Sequence, residues 1–151
     1  MADLREPGPP PAFSVAEIRD PALLIAAMGG EAGLVAGRLA RGVRAFGAYR
    51  DCALAGYGWL TAGPEWIGEL GAEIHPGPGE AYVWNCVTLP QHRLQGVFRS
   101  FLLGVREQAR GEGLERLWIG SHGGALSAVR AAGFRPVLAL EPPPRPIRRI
   151  P

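Results

Sequence analysis

A loop that contains a glycine and carries two arginines is the segment of this sequence best suited to bind an anion. It spans residues 87 to 99, VTLPQHRLQGVFR, between a run typical of a strand and the start of an amphipathic run typical of a helix. The first amides of a helix have no intrahelical acceptor and point outward at the positive end of the macrodipole, so they can donate together to a phosphate. Gly96 permits close approach of the backbone, and Arg93 and Arg99 add positive charge. Charge-assisted hydrogen bonds contribute roughly 1.5 to 3 kcal/mol each, so three or four of them would hold a pyrophosphate.

The cysteines and histidines do not form a recognisable metal or nucleophile site. Cys52 and Cys86 lie in strand-like runs without the Cys-x-x-Cys or Cys/His spacing of a zinc site, and we predict buried thiols rather than ligands or disulfide partners. His75 lies in a Pro-Gly turn and His92 in the loop before Gly96, so both are predicted to be solvated. We therefore predict that the protein needs no metal.

Composition and charge favour one globular domain and exclude several classes of partner. The chain has 151 residues, 47% of them hydrophobic, which suits a single domain with a core. Sixteen basic residues, all arginine and mostly scattered, oppose 14 acidic ones, and a net charge of +2 does not indicate a nucleic-acid partner. We recognise no signal sequence and no apolar run of about 18 residues, so we expect no membrane partner and a cytoplasmic location. The absence of lysine, with abundant Gly, Pro and Ala, suggests a GC-rich bacterial coding sequence.

Strands dominate the first part of the chain in this interpretation. Asp20 and Pro21 predict the N-cap and first residue of a helix that ends at Gly29-Gly30, and a second helix covers residues 31 to 40. The polar pair Arg50-Asp51 separates two strand-like runs and predicts an antiparallel hairpin. The predicted strands of this part cover residues 13 to 19, 43 to 49, 52 to 60, 66 to 74 and 80 to 89.

The second part of the chain predicts a strand, helix, strand unit followed by a short helix. An apolar stripe from Val97 to Ala109 marks the clearest helix, over residues 97 to 111. The remaining predicted elements are a strand over 114 to 120, a helix over 121 to 132 and a strand over 134 to 140. We predict a flexible lead-in over residues 1 to 12, a single domain over 13 to 141, and an extended Pro/Arg-rich tail over 142 to 151.

The loop and the elements after it resemble the GNAT superfamily of acyl-CoA-dependent N-acyltransferases. Residues 93 to 97, RLQGV, match the signature Arg/Gln-x-x-Gly-x-Gly/Ala up to its last position. Gly133-Phe134 matches the Gly-Phe pair that commonly follows the last helix of the superfamily. The resemblance covers roughly residues 43 to 140. It implies an α+β fold with a mixed, mostly antiparallel central sheet, a helical crossover between the fourth and fifth strands, and helices on both faces.

The resemblance also implies acetyl-CoA, or another acyl-CoA, as the co-substrate. The backbone of residues 87 to 89 would pair with the pantetheine arm, and the amides of residues 94 to 99 would hold the pyrophosphate. The thioester would lie between the strands over 80 to 89 and 114 to 120, which splay apart in the superfamily. The cofactor-binding residues that follow from the resemblance are Val87, Thr88, Leu89, Arg93, Leu94, Gln95, Gly96, Val97, Phe98, Arg99 and His122.

Three residues depart from the superfamily's pattern. Phe98 replaces the small residue that ends the signature, and its ring could lie near the phosphates or point into the core. His122 stands where many members have an Asn that contacts the cofactor. Val129 stands where many members have the Tyr that protonates the departing thiolate, so the usual general acid is absent.

Two ionisable residues at the start of the strand over 80 to 89 are our candidates for catalysis. Acyl transfer needs a neutral amine, and deprotonating a lysine-like amine with a pKa of about 10.4 at pH 7 costs roughly 4 to 5 kcal/mol. In other members a carboxylate base lies close to the position of Tyr82, so Glu80 and Tyr82 are the predicted catalytic residues. Glu80 equally fits a solvated carboxylate at a strand end, and Tyr82 a half-buried core residue. Strict alternation puts Cys86 and Thr88 on the face of Tyr82, unless a bulge intervenes.

The sequence therefore predicts an N-acetyltransferase that moves an acetyl group from acetyl-CoA to a primary amine by direct attack in a ternary complex. The alternative is a non-catalytic GNAT-like module that binds acyl-CoA and serves regulation or interaction. The acceptor, a small-molecule or peptide amine, is left open, and a homodimer is compatible with the sequence.

Overall fold

The computed structural model describes residues 1–5 and 11–139, and within them six strands form one mixed sheet. These strands are β1 (Ala2–Asp3), β2 (Ser14–Glu17), β3 (Arg44–Arg50), β4 (Ala53–Thr61), β7 (Glu80–Thr88) and β8 (Arg116–Ile119). Two further strands, β5 (Glu65–Ile67) and β6 (Ala72–Ile74), form a separate hairpin. The order in the main sheet is β1-β8-β7-β4-β3-β2, and only β7 and β8 run parallel to each other.

Helices cover both faces of the main sheet. On one face lies α3 (Val97–Gly111), whose apolar stripe packs against buried residues of the strands, and α4 (Leu126–Ala131) adds to this core. The opposite face is covered by α1 (Pro21–Met28) and α2 (Val35–Ala40), joined by a 3-10 turn over Gly29–Leu34. The chain crosses from β7 through α3 to the parallel β8. The predicted fold class, α+β with a mostly antiparallel sheet, a helical crossover and helices on both faces, is confirmed.

The cap predicted at the start of α1 is present. The Asp20 side chain accepts a hydrogen bond from the Ala22 amide at 2.9 Å, and Pro21 is the first helical residue. By contrast, the predicted strand over 66 to 74 is wrong, because a turn with Gly71 at φ 61° divides it into β5 and β6. No strand forms over 134 to 139, and residue 140 and the predicted tail lie outside the described residues.

The N-terminal residues belong to the sheet, contrary to the flexible lead-in predicted over 1 to 12. β1 pairs with the free edge of β8, and Ala2 and Leu4 are only 1% exposed. The Met1 ammonium also donates to the Arg135 carbonyl at 3.0 Å. Because β1 has two residues, no periodic pattern could reveal it; residues 6 to 10 of the predicted lead-in lie outside the described part of the chain.

The β3–β4 hairpin turns one residue later than predicted. Arg50 pairs with Ala53, so the turn consists of Asp51 and Cys52, with φ angles of 50° and 65°. Two positive φ values are typical of the type I′ turn, whose twist matches that of the flanking strands. Cys52 is exposed in this turn, so the predicted burial of its thiol is wrong.

A β-bulge in β7 changes which side chains face each side of the sheet. Trp84 pairs with Trp59 but Val87 pairs with Tyr57, so Asn85 and Cys86 together lie opposite a single residue of β4. Asn85 has φ 45°, a conformation that Asn tolerates better than most residues. Beyond Asn85, Val87 shares the face of Trp84, whereas Cys86 packs on the α3 side. The predicted grouping of Cys86 with Tyr82 is therefore wrong, and alternation carries Thr88 to the α3 side as well.

The segment Pro21–Ala40 is apolar enough, by length and composition, to cross a membrane, with a mean hydropathy of 1.4. The sequence prediction that no such stretch exists is wrong in this respect. In the structure the segment is broken by the 3-10 turn, and Leu24, Met28 and Val35 are buried against the sheet. The absence of a membrane partner stays a prediction.

Gly104 marks the closest approach between α3 and β2 and gives a test of this packing. A Cβ atom at Gly104 would overlap the side chain of Val15. We expect Gly104→Ala to lower the free energy of unfolding by about 1 to 3 kcal/mol, the usual cost of overpacking, as measured by urea denaturation. Gly111→Ala is the matched control, because a Cβ there has open space and alanine favours a helix by up to about 1 kcal/mol. Equal stability of the two variants would contradict the packing.

Candidate active site

The loop before α3 presents a row of backbone amides without protein acceptors. Leu94 and Gly96 adopt left-handed conformations, with φ 61° and 75°, and Gly96 is the N-cap of α3. The first helical hydrogen bond runs from the Ser100 amide to the Gly96 carbonyl at 3.0 Å. Within the described part of the chain, no acceptor takes the amides of residues 94 to 99. Successive amides in such left-handed turns form a concave nest for an anion, reinforced here by the dipole of α3.

The charges around this loop suit a phosphate. Arg93 and Arg99 are exposed and form no ion pair with any described residue. Sequence reasoning missed a third guanidinium, that of Arg50. Its Nη1 donates to the Gln95 Oε1 at 2.7 Å, and its guanidinium stacks on the Phe13 ring at 4.1 Å. Because 45 residues separate Arg50 from Gln95, no local pattern could have indicated this contact.

The Phe98 ring, which could have lain near the phosphates, packs against the core on the α3 side instead. Val97 is buried in the same core. The first turn of α3 therefore directs these two side chains inward while its amides stay at the surface.

The parallel pair β7 and β8 separates at its carboxyl end. Pairing runs from Glu80 with Arg116 to Val83 with Ile119; beyond that, no strand among the described residues pairs with this side of β7, which continues to Thr88. We call the point where the two strands diverge, just after the last pair Val83 and Ile119, the β7–β8 split. Past the split, the β7 edge presents backbone groups without a strand partner, which an extended ligand can pair with. The loop before α3 follows β7 directly, so the nest of amides and the split lie at the same edge of the sheet.

Tyr82 reaches the split from the α1 and α2 side. Its side chain is 9% exposed, and its hydroxyl lies against the Gly120 backbone just after β8. The approach is close, because a Cβ atom at Gly120 would lie 2.6 Å from the Tyr82 hydroxyl oxygen. Burial raises the pKa of Tyr82 above its usual value, so the phenol stays protonated at neutral pH and is suited to donate a proton.

Glu80 is held in a network at the other end of the β7–β8 pairing. Its carboxylate accepts hydrogen bonds from Arg116 Nη1 at 2.8 Å, Trp118 Nε1 at 3.1 Å and the Gly77 amide at 3.2 Å. The hydrogen bond from Arg116 lowers the pKa of Glu80, which weakens this carboxylate as a base. It also lies three residues before the split, about 10 Å along the strand. A catalytic role for Glu80 stays a prediction.

The other candidate residues take structural or surface positions. The Cys86 thiol packs beneath α3 near Phe101, and burial raises its pKa, so little thiolate forms near neutral pH. His122 is exposed before the 3-10 turn Gly123–Ala125, and Val129 is buried in the core on the α3 side. Among the described residues, no group of three His, Cys, Asp or Glu side chains could hold a metal ion.

Comparison with known proteins bears on the fold. No protein-family model and no curated protein matches the sequence. A solved acetyltransferase of Trypanosoma brucei superposes with a TM-score of 0.60, covering 85% of this chain and 96% of that one at 15% identity. A GNAT family acetyltransferase of Brucella melitensis, in complex with acetyl-CoA, gives 0.55, covering 76% of this chain and 80% of that one at 19% identity. This chain has the GNAT fold. An aminoglycoside N-acetyltransferase in complex with CoA also matches, with a TM-score of 0.55 over 85% and 96% of the two chains at 16% identity.

The fold of this chain brings several features of the candidate site together at one end of the sheet. Its parallel strand pair, its bulge at Asn85 and its amide-rich loop before α3 all lie near the carboxyl ends of β7 and β8. Ligands of sheets with parallel strands commonly bind at that edge. The site is thus a product of the fold, although its individual side chains are particular to this sequence.

Proposed function

We propose that this protein is an N-acetyltransferase that moves an acetyl group from acetyl-CoA to a primary amine, by direct attack in a ternary complex. The observation that carries the proposal is the row of amides at residues 94 to 99, open to a ligand at the edge where β7 and β8 separate. We further propose that the acceptor is a small-molecule or peptide amine and that the protein acts in the cytoplasm.

The residues present fit the chemical parts of CoA. The amides of 94 to 99, with Arg93 and Arg99, offer hydrogen bonds and positive charge to the pyrophosphate. The free edge of β7 at residues 87 and 88 offers backbone groups to the amides of the pantetheine arm. Leu89 contributes less, because its amide donates to the Ala55 carbonyl and its carbonyl accepts from the His92 amide. The β7–β8 split then receives the thioester end. His122, at the far side of the split after β8, remains a proposed contact to the cofactor.

The proton balance of the reaction assigns a role to Tyr82. When the amine nitrogen bonds to the acetyl carbon, the carbon–sulfur bond breaks, the amine loses a proton and the thiolate takes one up. Val129 is apolar and buried, so it supplies no acid. The Tyr82 hydroxyl, protonated and next to Gly120 at the split, would donate to the departing sulfur, and the amine would lose its proton to solvent or through a relay.

A second candidate function is a non-catalytic acyl-CoA-binding module. Two observations favour it: the apolar Val129 and the engagement of Glu80 by Arg116. Release of free thiol from acetyl-CoA with a mixed panel of amines distinguishes the two functions. Binding of acetyl-CoA without thiol release across a broad panel would favour the module.

Ligand-induced stabilisation tests the cofactor site before any acceptor is known. CoA at about 100 times its Kd should stabilise the folded state by about 2.7 kcal/mol and raise the Tm by several degrees. Pantetheine, which lacks the pyrophosphate, is the matched control and should give a much smaller shift, because it leaves the amides of 94 to 99 unfilled. Equal shifts with the two ligands, or no shift with CoA at millimolar concentration, would contradict the proposal.

A further inference from the structure

A buried arginine lies between two tryptophans on the face of the sheet covered by α1 and α2. The Arg38 guanidinium carbon is 4.9 Å from the Trp59 ring centroid and 4.4 Å from that of Trp84, and Arg38 is only 7% exposed. Its Nη1 donates to the Asn85 Oδ1 at 2.6 Å. No carboxylate within the described ranges pairs with it, although a buried charge normally requires such a partner.

The acidic residues near Arg38 are not available to it. Glu65 is buried, but its carboxylate is engaged by the Arg41 guanidinium at 3.0 Å. Glu31 acts on Arg38 only as a distant charge and is exposed. Burial lowers the pKa of Arg38, which means that its surroundings do not compensate the positive charge fully.

The two tryptophans leave further donors unmatched. Trp59 is 0% exposed and Trp84 8%, and the indole Nε1 of each is buried without a hydrogen-bond partner. A buried, unpaired donor costs about 1 to 3 kcal/mol. These two indole donors lie beside a guanidinium that the indole faces and Asn85 contact but that no carboxylate of the described residues neutralises. We call Arg38, Trp59 and Trp84 the donor cluster. One cation and two indole N–H donors favour an anionic ligand that accepts hydrogen bonds.

The donor cluster adjoins the proposed reaction centre. Asn85, which accepts the Arg38 hydrogen bond, is the bulge residue that follows the β7–β8 split by two residues. Trp84 shares its face of the sheet with Tyr82, about 7 Å along the strand. A molecule anchored on the donor cluster would therefore lie on the same face of the sheet as Tyr82 and about two residues from it along β7.

We propose that the donor cluster binds a carboxylate, and that the acceptor amine of this protein carries that carboxylate a few atoms from its nitrogen, as an amino acid does. The inference rests on the proposed acetyl transfer for the role of the amine, but the carboxylate site itself stands on the geometry alone. A planar carboxylate matches the guanidinium fork and accepts from indole N–H groups as well. The site therefore selects amino acids over simple amines.

The same arrangement assists the chemistry. A cation near an amine disfavours the protonated form of that amine, so Arg38 lowers the pKa of a nearby amino group. The carboxylate offsets part of this effect, since it pairs with Arg38 directly. The net result is an amino acid held by one end, with its other end directed to the split.

Binding of N-acetylglycine, compared with N-acetylglycinamide, tests the site without requiring turnover. The two probes differ only in the carboxylate, and titration calorimetry should show that N-acetylglycine binds about 10- to 100-fold more tightly. Equal affinities, or no detectable binding of either probe at tens of millimolar, would overturn the proposal.

Two substitutions link the preference to the donor cluster. Trp84→Phe removes one N–H and keeps an aromatic face, and Arg38→Lys keeps the charge and removes the fork. We expect each to reduce the preference for N-acetylglycine at least several-fold, whereas Arg19→Gln, at an exposed position, should leave it unchanged. An unaltered preference in Trp84→Phe would overturn the proposal even if Arg38→Lys fails to fold, and a retained CoA-induced Tm shift identifies the variants that do fold.

The two proposals fail separately. If the protein binds N-acetylglycine more tightly than N-acetylglycinamide but releases no thiol from acetyl-CoA with any amino acid, the carboxylate site is supported and the acetyl transfer is refuted. If thiol is released as fast with glycinamide as with glycine, and N-acetylglycine binds no more tightly than N-acetylglycinamide, the carboxylate site is refuted and the acetyl transfer is supported.

Discussion

Replacing Tyr82 with phenylalanine should lower kcat by about 10²- to 10⁴-fold, the usual contribution of general acid or base catalysis, while the affinity for CoA changes little. The hydroxyl lies beside Gly120 at the β7–β8 split, and burial raises the pKa of Tyr82, so the wild-type phenol carries its proton at neutral pH. Phenylalanine keeps the ring and its packing and removes only this proton donor. The rate of thiol release from acetyl-CoA under saturating substrate measures the loss.

The pH dependence separates this loss from a folding defect. If Tyr82 handles a proton of the reaction, the deficit of Tyr82→Phe should shrink as the pH rises. The wild-type phenol begins to ionise once the pH approaches its raised pKa, and it then has no proton to donate to the departing sulfur, so the wild-type rate approaches that of the variant. A variant that merely folds poorly would be impaired at every pH. Tyr49→Phe is the matched control, because Tyr49 is half-buried, with its pKa also raised by burial, but is not placed at the split. Full activity of Tyr82→Phe at neutral pH would leave catalysis to positioning alone.

Glu80→Gln distinguishes the two residues predicted to be catalytic. The hydrogen bond from Arg116 keeps the pKa of Glu80 low, so we expect its substitution to reduce kcat much less than that of Tyr82. Loss of the ion pair should instead affect stability, because Arg116 would be left without its partner. A kcat loss as large as that of Tyr82→Phe would restore Glu80 as the base.

The parts of the site that depend on local sequence could be predicted. The glycine at the start of α3, the arginines beside it and the amphipathic stripe of the helix all lie within about 20 residues, and local rules describe them well. The cap at Asp20 was predicted for the same reason. Such features predict the loop before α3 and the crossover, and with them much of the fold.

The parts of the site that depend on pairing between distant segments could not be predicted from the sequence. The bulge at Asn85 is decided by its register with β4, which a side-chain period of two along β7 does not encode. In the sequence, Arg38 is indistinguishable from an ordinary polar residue of a helix, and only the fold brings it between Trp59 and Trp84. β1 is too short for any period to show, and it is held by the free edge of β8. Each of these features depends on contacts between segments that are far apart in the sequence, which explains why local patterns did not reveal it.

Substituting both Arg93 and Arg99 with glutamine should weaken CoA binding by about 100-fold. Both guanidinium groups are exposed beside the open amides of residues 94 to 99 and have no ion-pair partner among the residues described, so we expect their loss to affect ligand binding more than folding. Two charge-assisted bonds at a partly solvated site account for an effect of this size. Titration calorimetry with CoA measures it.

Three comparisons make that result specific to the phosphates. Pantetheine, without a pyrophosphate, should bind the double variant and the wild type equally. The affinity of the wild type for CoA should fall more steeply with added salt than that of the variant, because exposed charges are screened over about 10 Å at 0.1 M salt. The double substitution of Arg130 and Arg135 with glutamine removes the same net charge at exposed positions elsewhere and should change CoA affinity far less. If the two double variants weaken CoA binding equally, the overall charge of the protein attracts CoA, and the loop before α3 does not hold its pyrophosphate.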